Sequence, residues 1–546
     1  MNAGSNRADK KYLKIRYLKN CILLGSLLFG FFLFPCTQGC GDEPADKRLD
    51  GKEEFREPKE FSGMDKEMHK EHAVELHEAF EAGRDADSIE SYGDADSVET
   101  HDQIFEEVAD SLYETDEGAA ESIKGEQDTE SHEIEPRCRQ NDDPLKFLSI
   151  DKDLVPGGDL QKSTAQSRLD SDCMAIGFSF VAAKGMTLEA KLTPLGGARF
   201  APRLQVFDTF AISKRGPAAI LAQDMSAPGH AADVSFQVPW SGEHVLVVSS
   251  ADLHGHGTFA IEVHCTDGCS LSATRYPIVL LHGIAGWKGG LLNVVDYFFE
   301  VQDTLIKDGY DVYAPVSASF NDQNVRAVQF AGQIDDILAS TGAVKVNLVA
   351  HSQGGLDGRY IISSMGYGDR VSALVTVSTP HKGTSIADAI MGLVPGLAQD
   401  MIAPVVDFIG KLLGTGDEQD IKAAMKVLTT DYVRNVFNPA NPDDPRVLYF
   451  SFAGHTCGKA DIICQVRNNG ESVDPILIAS FRIMQILEGD NDGLVGVESA
   501  KYGNFLGLLS ADHWDEIGQL ADVVNLSFNH KKFYEDIAAM LAKMGF

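Results

Sequence analysis

Two observations place this chain in the α/β class. From Pro277 onward short apolar runs alternate with helical patterns, and in three short stretches between Met186 and Val263 apolar residues alternate with polar ones. The first pattern predicts a mostly parallel, doubly wound sheet with helices on both faces. The second predicts a small antiparallel β-sandwich ahead of it. A third observation, an acidic N-terminal stretch without period, predicts a disordered segment before both. At 546 residues the chain is too long for one core. The expected division is residues 1–40 an export signal, 41–137 an acidic linker, 138–270 the sandwich and 271–546 the parallel domain.

Lys10, Lys11, Lys14, Arg16 and Lys19 form a basic start, and Cys21 to Pro35 is almost wholly apolar. That run is shorter than the roughly 20 residues of a membrane span and suits a signal peptide. Thr37-Gln38-Gly39-Cys40 then resembles a bacterial lipoprotein cleavage site, with Cys40 as the lipidated residue. Thr37 stands where that box usually has Leu, and Gln38 is also atypical, so ordinary secretion and an uncleaved N-terminal anchor are the competing outcomes. The expectation is an exported protein, either an envelope lipoprotein or secreted.

The formal net charge is -34, and Gly41 to Arg137 carries 33 Asp and Glu against 10 Lys and Arg, so -23 of it lies there. Such a composition cannot bury enough surface to offset chain entropy, and the segment reads as a solvated tether. The acidity argues against nucleic acid as a partner. Export favours disulfides. Cys138, Cys173, Cys265, Cys269, Cys457 and Cys464 remain outside the signal region. Cys457 and Cys464 are close together and isolated, which pairs them; the other four allow three connectivities. Cys265 and Cys269 have no second pair with matching His nearby, which argues against zinc.

In the middle region Met186, Leu188, Ala190 and Leu192 alternate with polar residues, as do Val234, Phe236 and Val238, then Phe259, Ile261 and Val263. His244 to Ser249 is a further strand, and Gly and Pro punctuate the set. No catalytic constellation falls here, and a binding or spacer module is the reading.

The C-terminal region opens on the strand Pro277 to Leu281, which runs into His282-Gly283-Ile284-Ala285-Gly286-Trp287. Tyr310 to Val316 is the next strand and Val325 to Ser340 an amphipathic helix. Val344 to Ala350 reads as a buried strand and Leu356 to Ser364 as a helix. Between them lies Ala350-His351-Ser352-Gln353-Gly354, a serine flanked two residues away on each side by small residues. A strand that turns sharply into a helix projects the apical hydroxyl clear of the backbone, and strand and helix nearly touch there, so only small flanking residues fit. Ala373 to Val377 and Val447 to Phe452 complete the strands. A neutral serine needs a base, and the base an orienting carboxylate. The histidines after Ser352 are His381, His455, His513 and His530, and the candidate acids are Asp492 and its neighbour Asp490.

Four ordered stretches carry a family resemblance. They are Tyr276-Pro277-Ile278-Val279-Leu280-Leu281-His282-Gly283, the run from Lys345 to Gly355, Ser378-Thr379-Pro380-His381-Lys382-Gly383-Thr384 and Asn491-Asp492-Gly493-Leu494-Val495. Together they resemble the bacterial true lipases of Pseudomonas and Burkholderia, enzymes of the α/β-hydrolase fold, over roughly the last half of the chain. Ala350 departs from that pattern, where these enzymes have Gly.

The resemblance implies an ester hydrolase acting on lipid esters at a lipid–water interface, with Ser352 as nucleophile, His513 as base and Asp492 as its partner. The N–H of the residue after the nucleophile, Gln353, is one oxyanion donor; the resemblance adds Ile284 as the second. It also implies a structural Ca²⁺ near the loop of the catalytic histidine. Asp515, Gln519 and Val523 match by spacing from His513, and Asp474 is the remote carboxylate. Oxygen ligands of this kind suit Ca²⁺. Ile386, Ile390, Leu393, Leu397, Met401, Val405, Phe408, Ile409 and Leu412 recur at helical intervals where these lipases carry a lid; a pair of buried core helices demands the same stripe. Some of these lipases depend on a dedicated foldase. A short-chain or polyester esterase, an acyltransferase and a catalytically silent surface-binding protein are the rival functions.

Overall fold

The computed structural model describes residues 148–154, 163–198, 200–208, 220–284, 286, 296–413, 418–519 and 528–546. The signal peptide, Cys40, the acidic linker, Cys138 and Val523 lie outside the described residues.

Nine strands build the first module: β1 (Leu148–Asp153), β2 (Ser163–Leu169), β3 (Ala175–Ala182), β4 (Thr187–Pro194), β5 (Pro202–Asp208), β6 (Ile220–Met225), β7 (Ala232–Gln237), β8 (Gly242–Ser250) and β9 (Gly257–Asp267). They form two facing sheets, ordered β1-β3-β8-β5-β6 and β2-β9-β4-β7. Leu188, Ala190 and Leu192 of β4 point inward, as do Phe259, Ile261 and Val263 of β9 and Val234 and Phe236 of β7. The period of two is therefore the signature of one buried face. Phe259 anchors the core, edge-on to Phe178 and to Phe200 with ring centroids 6.1 and 6.2 Å apart. One pairing departs from the antiparallel expectation, since β1 runs parallel to β3. The chain passes through β2 in the opposite sheet between them, and two reversals restore the direction. β3 is buried along its whole length. Its second face carries a small cluster, with Ala175 beside Val245, Val247 and Phe207, so no alternation shows in its sequence.

The third sheet has, among the described residues, six strands, all parallel: β10 (Ile278–Leu281), β11 (Val312–Tyr313), β12 (Val346–His351), β13 (Val371–Val377), β14 (Leu448–Gly454) and β15 (Asn504–Leu509). Their order is β11-β10-β12-β13-β14-β15. Strands β12 and β13 are buried throughout, which is why they read as unbroken apolar runs. The expected strand from Tyr310 to Val316 shrinks to two residues at the sheet edge. The principal helices are α1 (Val301–Lys307), α2 (Gln323–Thr341), α3 (Gln353–Ile362), α4 (Ser385–Ile390), α5 (Gln399–Leu413), α6 (Glu418–Lys426), α7 (Ile462–Arg467), α8 (Ile478–Leu487) and α9 (His530–Lys543). Phe533, Ile537 and Leu541 of α9 pack with α1 on one face of the sheet. Phe330 and Ile334 of α2 pack with Ile361 of α3 on the other. Helix α2 begins at Asp322, whose side chain accepts the Val325 N–H, and ends at Gly342 with φ 74°, a position that favours glycine. Among the described residues no helix is long and apolar enough to cross a membrane.

The chain order reverses between β10 and β12, and in open α/β sheets ligands sit at the carboxyl ends of the strands flanking such a switch. Ser352 follows β12 directly, and His282-Gly283 follows β10.

The sulfurs of Cys457 and Cys464 are bonded, with Cα atoms 5.7 Å apart, as are those of Cys265 and Cys269, also 5.7 Å. Cys173 is disulfide-bonded too.

His244 on β8 offers a pH test. It is fully buried, stacks on Phe180 and donates from Nδ1 to the Gly242 carbonyl. Burial pushes it down to about 4. An unfolded chain protonates this group below about 6.5 while the folded one does not, so folding stability falls as pH drops from about 6.5 towards about 4. The slope is about 1.4 kcal/mol per pH unit for one such group. Thermal melts across that range are expected to flatten in His244→Gln relative to wild type.

Candidate active site

Ser352 holds φ 56° and ψ -132°, a conformation that a non-glycine residue keeps only when its surroundings impose it. Three contacts fix it. Its N–H donates to the Val377 carbonyl at 2.9 Å, and its own carbonyl accepts from the Gly355 N–H and from Thr379 Oγ1. A Cβ on Gly354 would overlap the Leu281 carbonyl oxygen, and one on Gly355 would overlap Thr379 Oγ1. Gly354 is thus required by the approach of α3 to the end of β10, and Gly355 by its approach to the segment after β13. Ala350 is fully buried and paired with Leu281 and Thr376, so this approach leaves room for a methyl group at that position.

The structure distinguishes the four histidines. His513 Nδ1 lies 2.7 Å from Asp492 Oδ2, and the His513 N–H donates to the Asp492 carbonyl. The other carboxylate oxygen of Asp492 accepts the N–H groups of Leu494 and Val495 at 2.8 and 2.7 Å. Asp492 is fully buried and His513 nearly so. This aims a fixed acceptor at Nδ1 and leaves Nε2 as the free nitrogen. Asp490, by contrast, has a 78% exposed side chain, 3.7 Å from His455. His381 is buried against Thr376 and stacks on Tyr502, and His530 contacts the Phe299 carbonyl.

Ser352, His513, Ile284, Tyr297, Pro380, Ile386, Met425, Leu428, Leu494 and Trp514 line one narrow, mostly apolar cavity of about 70 Å³. A larger hollow of about 520 Å³, lined by His282, Asp296, Tyr297, Asp303 and Asp336, does not include Ser352 or His513. Gln353 begins α3 directly after the serine, so its N–H is among the unpaired donors of a helix start. Ile284, in the loop after β10, lines the same cavity as Ser352. Ile386 of α4, from the segment expected as a lid or as core helices, lines the cavity, and so does Met425 of α6, which lies beyond that segment. The expected stripe divides: Ile386 and Val405 are buried, while Leu393 is more than half exposed.

Beneath the serine lies a polar layer that sequence reasoning missed. His351 is fully buried, with Nδ1 2.7 Å from Tyr297 Oη and Nε2 2.8 Å from Glu516 Oε2. Glu516 also accepts from Ser378 Oγ at 2.5 Å. Burial pushes His351 well below and Glu516 well above their ordinary ranges. Tyr297 therefore donates to a neutral His351, whose ring lies 4.4 Å from that of His513. A second missed group is Arg326. It is fully buried, paired with Asp357 of α3 at 2.8 Å, and donates to the carbonyls of His282 and Ala318. It ties α2 and the nucleophile helix to the loop after β10. Its signal was legible as a charged residue in phase with Ala327, Phe330 and Ile334. Burial raises Asp357 to about 6 although Arg326 opposes the shift. Burial and the nearby guanidinium push His282 down to about 3, so it is neutral and accepts the Ser317 N–H at Nε2.

The residues expected around Ca²⁺ divide. One oxygen each from Glu471, Asp512 and Asp515 lie within 4.8 Å of one another. Asp474 is outside that trio. Its N–H donates to Asp512, and its carboxylate accepts the Ile476 N–H, closing a local turn. The Gln519 side chain donates to the carbonyls of Asp296 and Tyr297 at 2.9 and 2.5 Å. Glu471 and Asp512 were not singled out from sequence. Glu471 lies far from His513 in the chain, and Asp512 stands beside it in Ala511-Asp512-His513.

A serine on a strained strand-to-helix turn of a parallel sheet, with a His–Asp pair beside it, defines the serine α/β-hydrolase class. Residues 276–407 match the family model for the alpha/beta hydrolase fold. A triacylglycerol lipase of Pseudarthrobacter phenanthrenivorans is 31% identical over 297 residues, covering 46% of this chain and 91% of that one. One of Burkholderia plantarii is 31% identical, covering 46% and 81%. One of Vibrio cholerae is 30% identical, covering 52% and 92%. The chain belongs to the family of bacterial triacylglycerol lipases.

Replacing Arg326 by Met leaves Asp357 buried without its cation, which costs about 3–5 kcal/mol. Urea unfolding of Arg326→Met is expected to show that loss against wild type.

Proposed function

We propose that this chain is a carboxylic ester hydrolase that cleaves triacylglycerols through an acyl-enzyme on Ser352. The observation that carries the reading is that Ser352 and the Asp492-held His513 line the same apolar cavity. Ser352 Oγ attacks the ester carbonyl carbon while His513 Nε2 takes its proton. The N–H groups of Ile284 and Gln353 hold the resulting oxyanion. His513 then returns the proton to the departing alcohol as the C–O bond breaks. Water, deprotonated by His513, attacks the acyl-enzyme; the acid leaves and Ser352 Oγ regains its proton. Asp492 stays ionised, and fixes the tautomer of His513 through both steps.

On glyceryl esters of graded chain length, Ser352→Ala is expected to lower kcat roughly 10⁴-fold or more, and Asp492→Asn roughly 10³- to 10⁴-fold. Wild-type protein inactive on every ester, though folded, rejects the reading. The narrowness of the cavity favours a second reading, a short-chain esterase with the same triad. Hydrolysis of soluble short esters with none on emulsified long chains selects it. Co-expression with a lipase foldase, the partner expected of some relatives, belongs in the same assay as a separate arm.

Ca²⁺ is the cofactor we propose, held by Glu471, Asp512 and Asp515. The donors are all carboxylate oxygens, two of the three residues are buried, and such a set suits a hard cation. Bound there, it pins the loop that carries His513. Glu471 takes the place assigned to Asp474 from sequence. EDTA is expected to lower the melting temperature by about 5 °C, corresponding to a site about 100-fold above its Kd, with added Ca²⁺ restoring it. No change with EDTA rejects the site.

Export is part of the proposal: a signal peptide, lipidation at Cys40 or release after cleavage, and a compartment that keeps Cys457–Cys464 and Cys265–Cys269 oxidised.

A further inference from the structure

We propose that the Tyr297 hydroxyl positions the oxyanion hole, by bolting the loop that carries the Ile284 donor to the turn that carries Ser352. The proposal rests on the ester-hydrolase reading of that site. It adds a group that neither bonds the substrate nor carries a proton for it.

Tyr297 lines the cavity of Ser352 and His513, but its hydroxyl is committed to the protein. Oη lies 2.7 Å from His351 Nδ1 and donates to that neutral imidazole. His351 directly precedes the nucleophile, and its Nε2 is held by Glu516 at 2.8 Å. The lone pairs of Oη are left for a second partner, and Gly283 supplies it. A Cβ on Gly283 would stand 2.6 Å from Tyr297 Oη and 2.6 Å from Ser352 Cβ. This residue therefore threads between the tyrosine and the nucleophile, with room for no side chain. Burial pushes the Tyr297 hydroxyl well up, and a hydrogen bond from the Gly283 backbone opposes it. A bond that favours the ionised oxygen is one donated to it, so it comes from the Gly283 N–H.

The carbonyl of Gly283 is held as well. His282 Nδ1 donates to it at 2.8 Å, and the Ser317 N–H on His282 Nε2 fixes that tautomer. In a trans peptide a carbonyl and the N–H that follows it point opposite ways. With both ends of Gly283 gripped, the direction of the Ile284 N–H is set in advance.

Tyr297 is in turn fixed by the loop that carries the base. Gln519 Nε2 donates to the carbonyls of Asp296 and Tyr297. The Phe299 N–H donates to the Ile517 carbonyl at 3.0 Å, and His530 Nε2 contacts the Phe299 carbonyl. One residue thus holds three segments in register: the oxyanion loop, the nucleophile turn and the loop after His513. Oxyanion donors act only where they meet the developing charge, and a displacement of about 1 Å can cost roughly 10²-fold.

The test is Tyr297→Phe, which removes Oη and keeps the ring. Tyr534→Phe is the control. The Tyr534 hydroxyl is buried with no hydrogen-bond partner among the described residues, and its ring lies edge-on to Phe298, 5.6 Å away. Hydrolysis of dissolved p-nitrophenyl acetate gives kcat and KM. Phenylboronic acid, which forms a tetrahedral adduct on a nucleophilic serine, probes the oxyanion geometry without turnover. Tyr297→Phe is expected to lower kcat roughly 10- to 100-fold and to leave KM within about twofold of wild type. Its inhibition constant for phenylboronic acid is expected to rise by the same factor as kcat falls. Tyr534→Phe is expected to match wild type in all three. Wild-type kcat in Tyr297→Phe overturns the role and leaves the esterase reading standing. A lower kcat with an unchanged inhibition constant also overturns it, by moving the hydroxyl from oxyanion geometry to proton transfer. Loss of the folded circular dichroism spectrum in Tyr297→Phe, with Tyr534→Phe folded, overturns it too, by making the hydroxyl a stability group. Wild-type protein that is folded but inactive on the dissolved ester overturns both this role and the esterase reading.

Discussion

The reactive edge depends on two backbones being allowed to touch. Where α3 leaves β12, Gly354 lies against the carbonyls of Leu281 and His282, and that contact forces Ser352 into its left-handed turn. With Ser352 there, its carbonyl is committed to Thr379 and its N–H to Val377. The hydroxyl is the one group of the residue left for chemistry. Arg326 secures the other side of the same contact, gripping the His282 carbonyl and Asp357 together. The strain at one residue is thus spread over a buried ion pair, a glycine and a threonine on three segments, α2, α3 and the turn after β13.

The polar layer under the serine follows the same economy. His351, Tyr297, Glu516 and Ser378 satisfy one another in a region that water does not reach, where an unpaired donor would be costly. Glu516 belongs to the loop that carries His513, and His351 precedes the nucleophile. Their hydrogen bond therefore joins the two catalytic loops by a route independent of Asp492.

How much of this was legible follows from what each feature demands of its residues. Strands β10, β12, β13 and β14 were visible because burial on both faces leaves an unbroken apolar run, and α2 because it has one apolar stripe. The sandwich strands β4, β7 and β9 were visible through their single buried face, but β3 was hidden because it is covered on both. The serine, its base and its acid were readable because backbone contact and chain order restrict them to few positions. Glu516, Glu471 and Asp512 were not, because a carboxylate in a surface-like loop sequence looks the same whether it is solvated or folded inward. Val312–Tyr313 fell short of its expected length because an edge strand is ended by its surroundings and not by its own pattern.

The parts of the centre are far apart along the chain. Ser352 follows β12, Asp492 lies in the loop after α8 and His513 follows β15, and they meet only when the parallel strands have paired in an order that departs from chain order. Contacts of such sequence separation form late in folding, after the loop-closure entropy of the intervening segments has been met. A chain still being synthesised, or threaded extended through a pore, holds every reacting group and has no catalytic power. The topology thereby works as a timer: a cell making this enzyme is shielded from it by geometry until the last strand is in place.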